Sequence, residues 1–174
     1  MVWRKSFVDR DRSTNSLRVE GFPRSGSTFL YGVLKNSFPD LEMPYFDHST
    51  ARLKLPNTII SIRHPLESIP SFFVYLKLDD MNLVSNYFCR YYKTILNNID
   101  HLNIIDFNEL TTNTFSIINK ISIKLNLTPM PINLFKIETN AQPKYNKDLI
   151  IPNLNDCVLL YNQVKERLLW LYKL

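Results

Sequence analysis

The residues best suited to chemistry lie in one short segment near the start of the chain, Gly21 to Thr28, which reads GFPRSGST. The segment contains one cation, Arg24, and the hydroxyl side chains of Ser25, Ser27 and Thr28. If a helix begins here, its first backbone N–H groups have no intrahelical partner and lie at the positive end of the helix dipole. Together with the guanidinium and the hydroxyls, these groups form a binding site for an anion.

Glycine usage singles out the same segment. A chain of 174 residues with average composition has about 12 glycines, whereas this chain has three, Gly21, Gly26 and Gly32. Phe22 and Pro23 do not readily adopt a positive φ, so we expect the unusual backbone angles at Gly21 and Gly26. The turn from strand to helix is therefore predicted to span these two glycines.

The spacing of the loop matches the phosphate-loop pattern G-x4-G-x-[ST], but one position differs. Ser27 stands where nucleoside-triphosphate enzymes carry a lysine for the β- and γ-phosphates, and the cation of this loop is Arg24, three residues earlier. The loop is thus predicted to bind an anion, and a kinase or GTPase is less favoured. The alternative is a plain strand–turn–helix junction with an exposed arginine.

A second group of polar residues follows the next predicted strand, between Ile62 and Ser71. Ligands of open parallel sheets bind at the carboxyl ends of the strands, so Arg63 is expected to face the same crevice as the first loop. Ser71 comes about two helical turns later. Arg63 and Ser71 are therefore predicted to bind a second phosphate. The alternative for Arg63 is an ion pair with Glu67 or Asp106.

Hydrophobic periodicity predicts strands that alternate with helices. The predicted strands are 16–21, 57–62 and 102–107, and the predicted helices are 28–38, one after Pro65 that Pro70 kinks or begins, 79–99, 109–127 and 156–171. This order favours an α/β fold with three layers, α/β/α, around a central parallel sheet, in a single domain over residues 1–174. Residues 1–15 are predicted to be an irregular arm, and residues 128–156 a long excursion.

Composition narrows the functional classes. Hydrophobic residues make up 45% of the chain and charged residues 21%, which is typical of a folded domain. The chain has no apolar run close to the roughly 20 residues of a membrane span, and its polar start is unlike a signal peptide. The net charge of +5 suits an anionic ligand. Cys89 and Cys157 are too few for a disulfide framework or a zinc site, so we expect unpaired thiols and a cytoplasmic protein.

Three stretches resemble the sulfotransferases that use 3′-phosphoadenylyl sulfate (PAPS). GFPRSGSTFL is similar to their 5′-phosphosulfate loop, and SIRHPLESIPSFF to their 3′-phosphate motif, with the same spacing of arginine and serine. NIIDFNELTTNTFSIINKISIKLNL resembles a later strand, acidic turn and helix, so the resemblance covers residues 16–127. It implies a P-loop NTPase-like fold and transfer of a sulfuryl group from PAPS to a hydroxyl or amine of a small-molecule or saccharide acceptor. A metal and a nucleic-acid partner are not implied.

The resemblance also implies roles for particular residues. The 5′-phosphosulfate of PAPS would be bound by the loop, and its 3′-phosphate by Arg63 and Ser71. Arg24 and the loop backbone would stabilise the leaving phosphate, and His48 would be the base that deprotonates the acceptor. The loop residues concerned are Arg24, Ser25, Gly26, Ser27 and Thr28.

Other groups are open as alternatives for the base and the remaining histidines. The carboxylates of Glu42, Asp47 and Glu67 are alternative bases. His64 is expected to be a turn residue or a phosphate contact, and His101 a structural residue.

The chain departs from the family pattern at three places. Arg24 stands where cytosolic members usually carry lysine, whereas carbohydrate-type and other members use arginine. The acidic turn reads FNEL at 107–110, without its tyrosine and first acid. No glycine follows Gly32, so the glycine-rich basic motif near the C-terminus is missing, and Lys144 or Lys147 is the candidate replacement. Two alternative functions therefore stand beside sulfuryl transfer: a P-loop nucleotide or small-molecule kinase, and a non-catalytic nucleotide-binding module of the same fold.

Overall fold

The structure is a computed structural model and describes residues 16–129 and 149–171. Strands and helices alternate along the described chain, with short 3₁₀ turns at Arg52–Lys54 and Ile99–His101. In chain order the elements are β1 (Arg18–Gly21), α1 (Ser27–Ser37), β2 (Thr58–Ile62), α2 (Pro65–Tyr75), α3 (Met81–Leu96), β3 (Asn103–Asp106), α4 (Phe107–Thr112), α5 (Thr114–Leu125) and α6 (Leu154–Leu171).

The three strands of the described chain form one parallel sheet in the order β1-β2-β3. Gly21 pairs with Ser61, which in turn pairs with Ile105. The carboxyl ends of the strands therefore meet at one edge of the sheet. The segments that follow β1 and β2, which contain the two predicted motifs, leave the sheet side by side at this edge.

Alternate side chains of the strands face two different helical layers. Val19, Ile59 and Ile105 pack with buried residues of α1 and α5. Ile60, Ile62 and Ile104 pack with buried residues of α2, α3 and α6. Full burial of such a side chain contributes about 1.5–3 kcal/mol, so both faces of the sheet stabilise the domain. The prediction of an α/β/α fold with a central parallel sheet is confirmed.

Two details of the helices differ from the sequence prediction. The helix predicted over 109–127 is divided into α4 and α5 at Asn113, whose φ of −130° and ψ of 40° lie outside the helical region. The carboxylate of Asp106 accepts a hydrogen bond from Asn108 N at 2.9 Å and so starts α4 directly after β3. Pro70 lies inside α2, which begins at Pro65, so the proline does not mark the start of that helix.

Cys89 and Cys157 form no disulfide, and their Sγ atoms lie 3.3 Å apart between α3 and α6.

Within residues 16–129 and 149–171, no three side chains of His, Cys, Asp or Glu are grouped as a metal site requires. No helix among the described residues has the length and apolar character needed to cross a membrane. The predicted arm, 1–15, and most of the predicted excursion, with Lys144 and Lys147, lie outside the described residues.

Candidate functional site

The loop between β1 and α1 has left-handed backbone at two residues. These are Arg24, with φ of 68°, and Gly26, with φ of 95°, and the expected unusual angle at Gly21 is not found. Gly21 is needed for space instead, because a Cβ there would lie within 2.7 Å of Ser25 Oγ, Ser27 Oγ and the Ser61 carbonyl oxygen. Other atoms of the loop and of β2 therefore pack directly against Gly21, and the backbone turns at Arg24 and Gly26.

We predict that Gly26→Ala destabilises the protein by about 1–3 kcal/mol. A Cβ at Gly26 would overlap the Phe107 ring, and a positive φ is costly for alanine. Urea unfolding measures the change. Gly32→Ala in α1 is the matched control, because its Cβ would meet nothing within 4 Å, and alanine favours helix by about 1 kcal/mol over glycine. Equal stability of the two variants would contradict the prediction.

Two of the three predicted hydroxyl donors point into the loop itself. Ser25 is fully buried, and its Oγ donates to the Phe22 carbonyl at 2.5 Å. Ser27 is buried, and its Oγ has no hydrogen-bond partner among the described residues. Thr28, in contrast, is exposed in the first turn of α1. Thr28 and the Arg24 side chain are therefore the loop side chains that reach solvent.

The loop backbone offers fewer free donors than its sequence suggests. The N–H of Ser25 donates to the Phe22 carbonyl at 3.0 Å, so it is already used. The first helical hydrogen bond runs from Leu30 N to the Gly26 carbonyl at 3.0 Å, so the N–H groups of Ser27, Thr28 and Phe29 have no intrahelical partner. Ser61 of β2 donates through its Oγ to the Ser25 carbonyl and fixes the loop to the central strand.

Arg63 lies at the carboxyl end of β2, directly beside the loop. Its Nη1 donates to the Arg24 carbonyl at 3.2 Å, and its guanidinium lies 4.5 Å from the centre of the Phe107 ring. The Nε of Arg63 forms an ion pair with Glu67 Oε2 at 2.7 Å, one of the two alternatives considered from the sequence. The Tyr92 hydroxyl holds the Arg63 backbone, with hydrogen bonds of 3.2 Å to its N and 3.1 Å to its O.

Ser71 contacts Arg24 rather than Arg63. The Nε of Arg24 donates to Ser71 Oγ at 3.0 Å, and the Arg24 guanidinium lies 5.0 Å from the centre of the exposed Tyr75 ring. The two predicted motifs thus meet in one place, since Arg24 contacts α2 through its side chain and Arg63 through its carbonyl.

His48 lies at the same edge of the sheet, 2.7 Å through its Nδ1 from the Gly21 carbonyl oxygen. A carbonyl oxygen only accepts hydrogen bonds, so Nδ1 carries the hydrogen and Nε2 has the free lone pair. Burial lowers the pKa of His48 below its ordinary 6.5, while the Gly21 contact and Asp47 act in the opposite direction. A neutral imidazole with a free Nε2 is suited to accept a proton near pH 7.

The alternative bases are committed elsewhere or lie apart from the loop. Glu67 is paired with Arg63, and Asp47 Oδ2 lies 3.7 Å from Arg52 Nε. Glu42 is exposed, and its carbonyl accepts from Leu17 N beside the start of β1, at the far end of the strand from the loop.

The two other histidines have local partners. His64 caps α2, because its Nδ1 accepts from Leu66 N at 3.3 Å, and its ring lies 5.1 Å from that of Tyr161. The Nε2 of His101 lies 3.2 Å from the Leu53 carbonyl oxygen. Neither contact involves the loop.

The fold is similar to that of a solved mouse enzyme, described as sulfotransferase SULT7A1 complexed with PAP. The TM-score is 0.51 at 12% sequence identity, and the match covers 91% of this chain. The chain has a sulfotransferase-like α/β fold. The match spans 66% of the mouse chain, so this chain is similar to about two thirds of that enzyme. No family model and no curated protein matches the sequence.

Proposed function

We propose that the chain transfers a sulfuryl group from PAPS to a hydroxyl or amine of a small-molecule or saccharide acceptor. The observation that carries this proposal is the contact between the two motifs, in which Arg63 Nη1 donates to the Arg24 carbonyl at 3.2 Å. The Arg63 guanidinium and the Arg24 backbone therefore meet at one sheet edge, beside a helix N-terminus, while the Arg24 guanidinium reaches Ser71 of α2. These groups would suit an elongated ligand with an anionic group at each end.

The donor nucleotide would be held by both motifs. Arg24, Thr28 and the first N–H groups of α1 would bind the 5′-phosphosulfate, with Ser25, Gly26 and Ser27 shaping the loop. Arg63 and Ser71 would bind the 3′-phosphate. Donor binding would replace two contacts of the free protein, which are the ion pair between Arg63 and Glu67 and the hydrogen bond from Arg24 to Ser71. PAPS carries no triphosphate, and we propose no metal in this site.

In the proposed reaction, the acceptor oxygen or nitrogen attacks sulfur in line with the departing phosphate. The S–O bond to that phosphate breaks, and negative charge builds up on the phosphate oxygen. Once donor binding has released it from Ser71, the Arg24 guanidinium would stabilise this charge together with the helix N–H groups. Nε2 of His48 would take the acceptor proton, a contribution of about 10²–10⁴ in rate. The PAP in the mouse sulfotransferase complex is the product that such a transfer leaves behind.

Titration with PAP, adenosine 3′,5′-bisphosphate, tests the donor site. We expect micromolar binding by calorimetry, and Arg63→Ala should weaken it roughly 10- to 100-fold, because hydrogen bonds to charged groups contribute about 1.5–3 kcal/mol. Arg167→Ala on the exposed face of α6 is the matched control at the same ionic strength, and it should leave affinity unchanged.

Three other outcomes of this titration would change the proposal. Absence of micromolar binding, or binding indifferent to Arg63→Ala, would contradict sulfuryl transfer. Tighter binding of ATP with Mg²⁺ would favour a kinase, which the buried Ser27 at the lysine position does not support. PAP binding without transfer to any acceptor would favour a nucleotide-binding module.

A further inference from the structure

One carboxyl group beside the site has no role in the proposed chemistry so far. Glu20 precedes Gly21 in β1, and its side chain is fully buried. Its Oε1 accepts from Arg52 Nη1 at 3.2 Å, and its Oε2 has no hydrogen-bond partner among the described residues. The charged and titratable groups that face it are Arg52, Asp47 and the hydroxyls of Tyr87 and Tyr91.

Arg52 connects Glu20 to the segment that precedes His48. Its Nη1 also donates to the Tyr45 carbonyl at 2.8 Å, and its Nε lies 3.7 Å from Asp47 Oδ2. One planar guanidinium thus joins the end of β1 to two residues of the segment 45–47. A guanidinium has five donors in a fixed fork, which suits it to hold several acceptors at once.

His48 needs such support because its backbone is strained. Its φ of 61° is in the left-handed region, which costs about 1 kcal/mol or more for a residue other than glycine. Contacts on both sides hold it there: Nδ1 donates to the Gly21 carbonyl, and the His48 carbonyl accepts from the Tyr87 hydroxyl at 3.0 Å. Strain of this kind persists only where the surroundings fix the residue.

We propose that Glu20 and Arg52 are positioning residues that hold residues 45–48 on the end of β1 and so direct Nε2 of His48 toward the acceptor. The inference rests on the proposed function, in which His48 is the base. Glu20 and Arg52 touch neither the donor nor the acceptor, and they act through the segment that carries the imidazole. Arg52 thereby has a role besides its hydrogen bond to Glu20, because the same guanidinium also binds the Tyr45 carbonyl.

NMR titration of the free protein tests the positioning directly. Imidazole signals are recorded from pH 5 to 8, and those of His48 are assigned by their loss in His48→Gln. In Arg52→Ala we expect the pKa of His48 to rise toward its ordinary 6.5, as the ring leaves its buried site. Lys54→Ala, an exposed cation in the same 3₁₀ turn, should leave the titration unchanged, and His64 and His101 serve as internal references.

Arg52→Lys keeps the charge but lacks the planar guanidinium that binds several acceptors at once, so we expect an intermediate rise in the pKa of His48. If Arg52→Ala does not fold, Arg52→Lys decides the question alone. In turnover with PAPS, kcat should fall by roughly 10- to 100-fold, since small misplacements of a catalytic group cost about 10²-fold. KM for PAPS and the Kd for PAP should stay within about twofold.

An unchanged His48 titration in the folded Arg52 variants would overturn the inference, even if those variants were less stable than the wild type. This result leaves PAP binding intact, so it differs from a failure of the proposed function. Conversely, a wild type that does not bind PAP would remove the proposed function, while the NMR titration would still report whether Arg52 holds His48.

Discussion

Replacing His48 with alanine is expected to lower kcat for sulfuryl transfer by about 10²–10⁴-fold, while the Kd for PAP stays within about twofold. The reason is geometric, because Nδ1 is held by the Gly21 carbonyl at 2.7 Å and Nε2 has the free lone pair. Transfer of labelled sulfate from PAPS is measured with the best acceptor from a panel of phenols, alcohols, amines and saccharides. His101→Ala is the control, since its ring contacts the Leu53 carbonyl, away from the loop.

The pH dependence of kcat gives a second readout of the same residue. Burial lowers the pKa of His48 below 6.5, so the imidazole is neutral at pH 7, and protonation removes the base only at more acidic pH. We therefore expect the wild-type rate to fall on the acid side below pH 6.5, and His48→Ala to lose this limb. A His48→Ala variant with full kcat and an unchanged acid limb would exclude His48 as the base and leave the carboxylates of Glu42, Asp47 and Glu67 as the candidates.

The loop between the first strand and the first helix and the parallel sheet could be predicted because their signals are local. Glycines, hydroxyls and a cation between a strand and a helix form one short pattern, and two β-branched runs, each followed by a helical stripe, indicate two strands of the sheet. The sequence also predicted that Arg24 and Arg63 would lie at a common edge, and the structure places Arg63 Nη1 at 3.2 Å from the Arg24 carbonyl.

The partner of each polar side chain could not be predicted in the same way. Ser71 is bonded to Arg24, which lies 47 positions earlier, and Glu20 to Arg52, which lies 32 positions later. These pairs depend on how the helices and the segment before β2 pack, and no local pattern encodes that packing. One signal was available for Glu20: an ionisable residue within a strand that is otherwise buried is unusual and marks a place with a specific partner.

Gly21 is another residue whose importance could be predicted from the sequence while its structural reason could not. The sequence indicated that Gly21 matters, and it does, but the reason is the approach of two serine hydroxyls and a neighbouring carbonyl rather than a positive φ. The left-handed angle falls on Arg24 instead. Composition identifies where backbone geometry is special, whereas the reason for each glycine is visible only once the neighbouring strand is in place.

Raising the pH from 5 to 8 is expected to destabilise the wild type relative to Glu20→Gln by several kcal/mol. Burial raises the pKa of Glu20 from its ordinary 4.5 to about 8, the Asp47 carboxylate adds to the rise, and Arg52 opposes it. The folded state therefore binds this proton more tightly than the unfolded state. The stabilisation is fully present below about pH 4.5 and is lost as the pH rises through 8. Because one pH unit corresponds to about 1.4 kcal/mol, the whole loss approaches roughly 5 kcal/mol.

Urea unfolding at pH 5, 6.5 and 8, at constant ionic strength, measures this difference. Glu20→Gln cannot ionise and should lack the decline, whereas Glu166→Gln on the exposed face of α6 should follow the wild type. If the free energy of unfolding depends on pH in the same way in Glu20→Gln and in the wild type, Glu20 is ionised throughout this range as an ion pair with Arg52. We expect burial to dominate, because the pair has one contact of 3.2 Å and the second carboxyl oxygen has no described partner.

The Glu20→Gln variant separates the effect of Glu20 on stability from its effect on the placement of His48. A protonated Glu20 still offers Oε1 to Arg52, and the amide oxygen of glutamine offers the same acceptor, so Glu20→Gln should hold residues 45–48 as the wild type does at neutral pH. We therefore expect the His48 titration and kcat to change little in Glu20→Gln, and to change strongly in Arg52→Ala. If Glu20→Gln changes how stability depends on pH but leaves the His48 titration unchanged, the acceptor oxygen at position 20, rather than its charge, is what holds the Arg52 guanidinium in place.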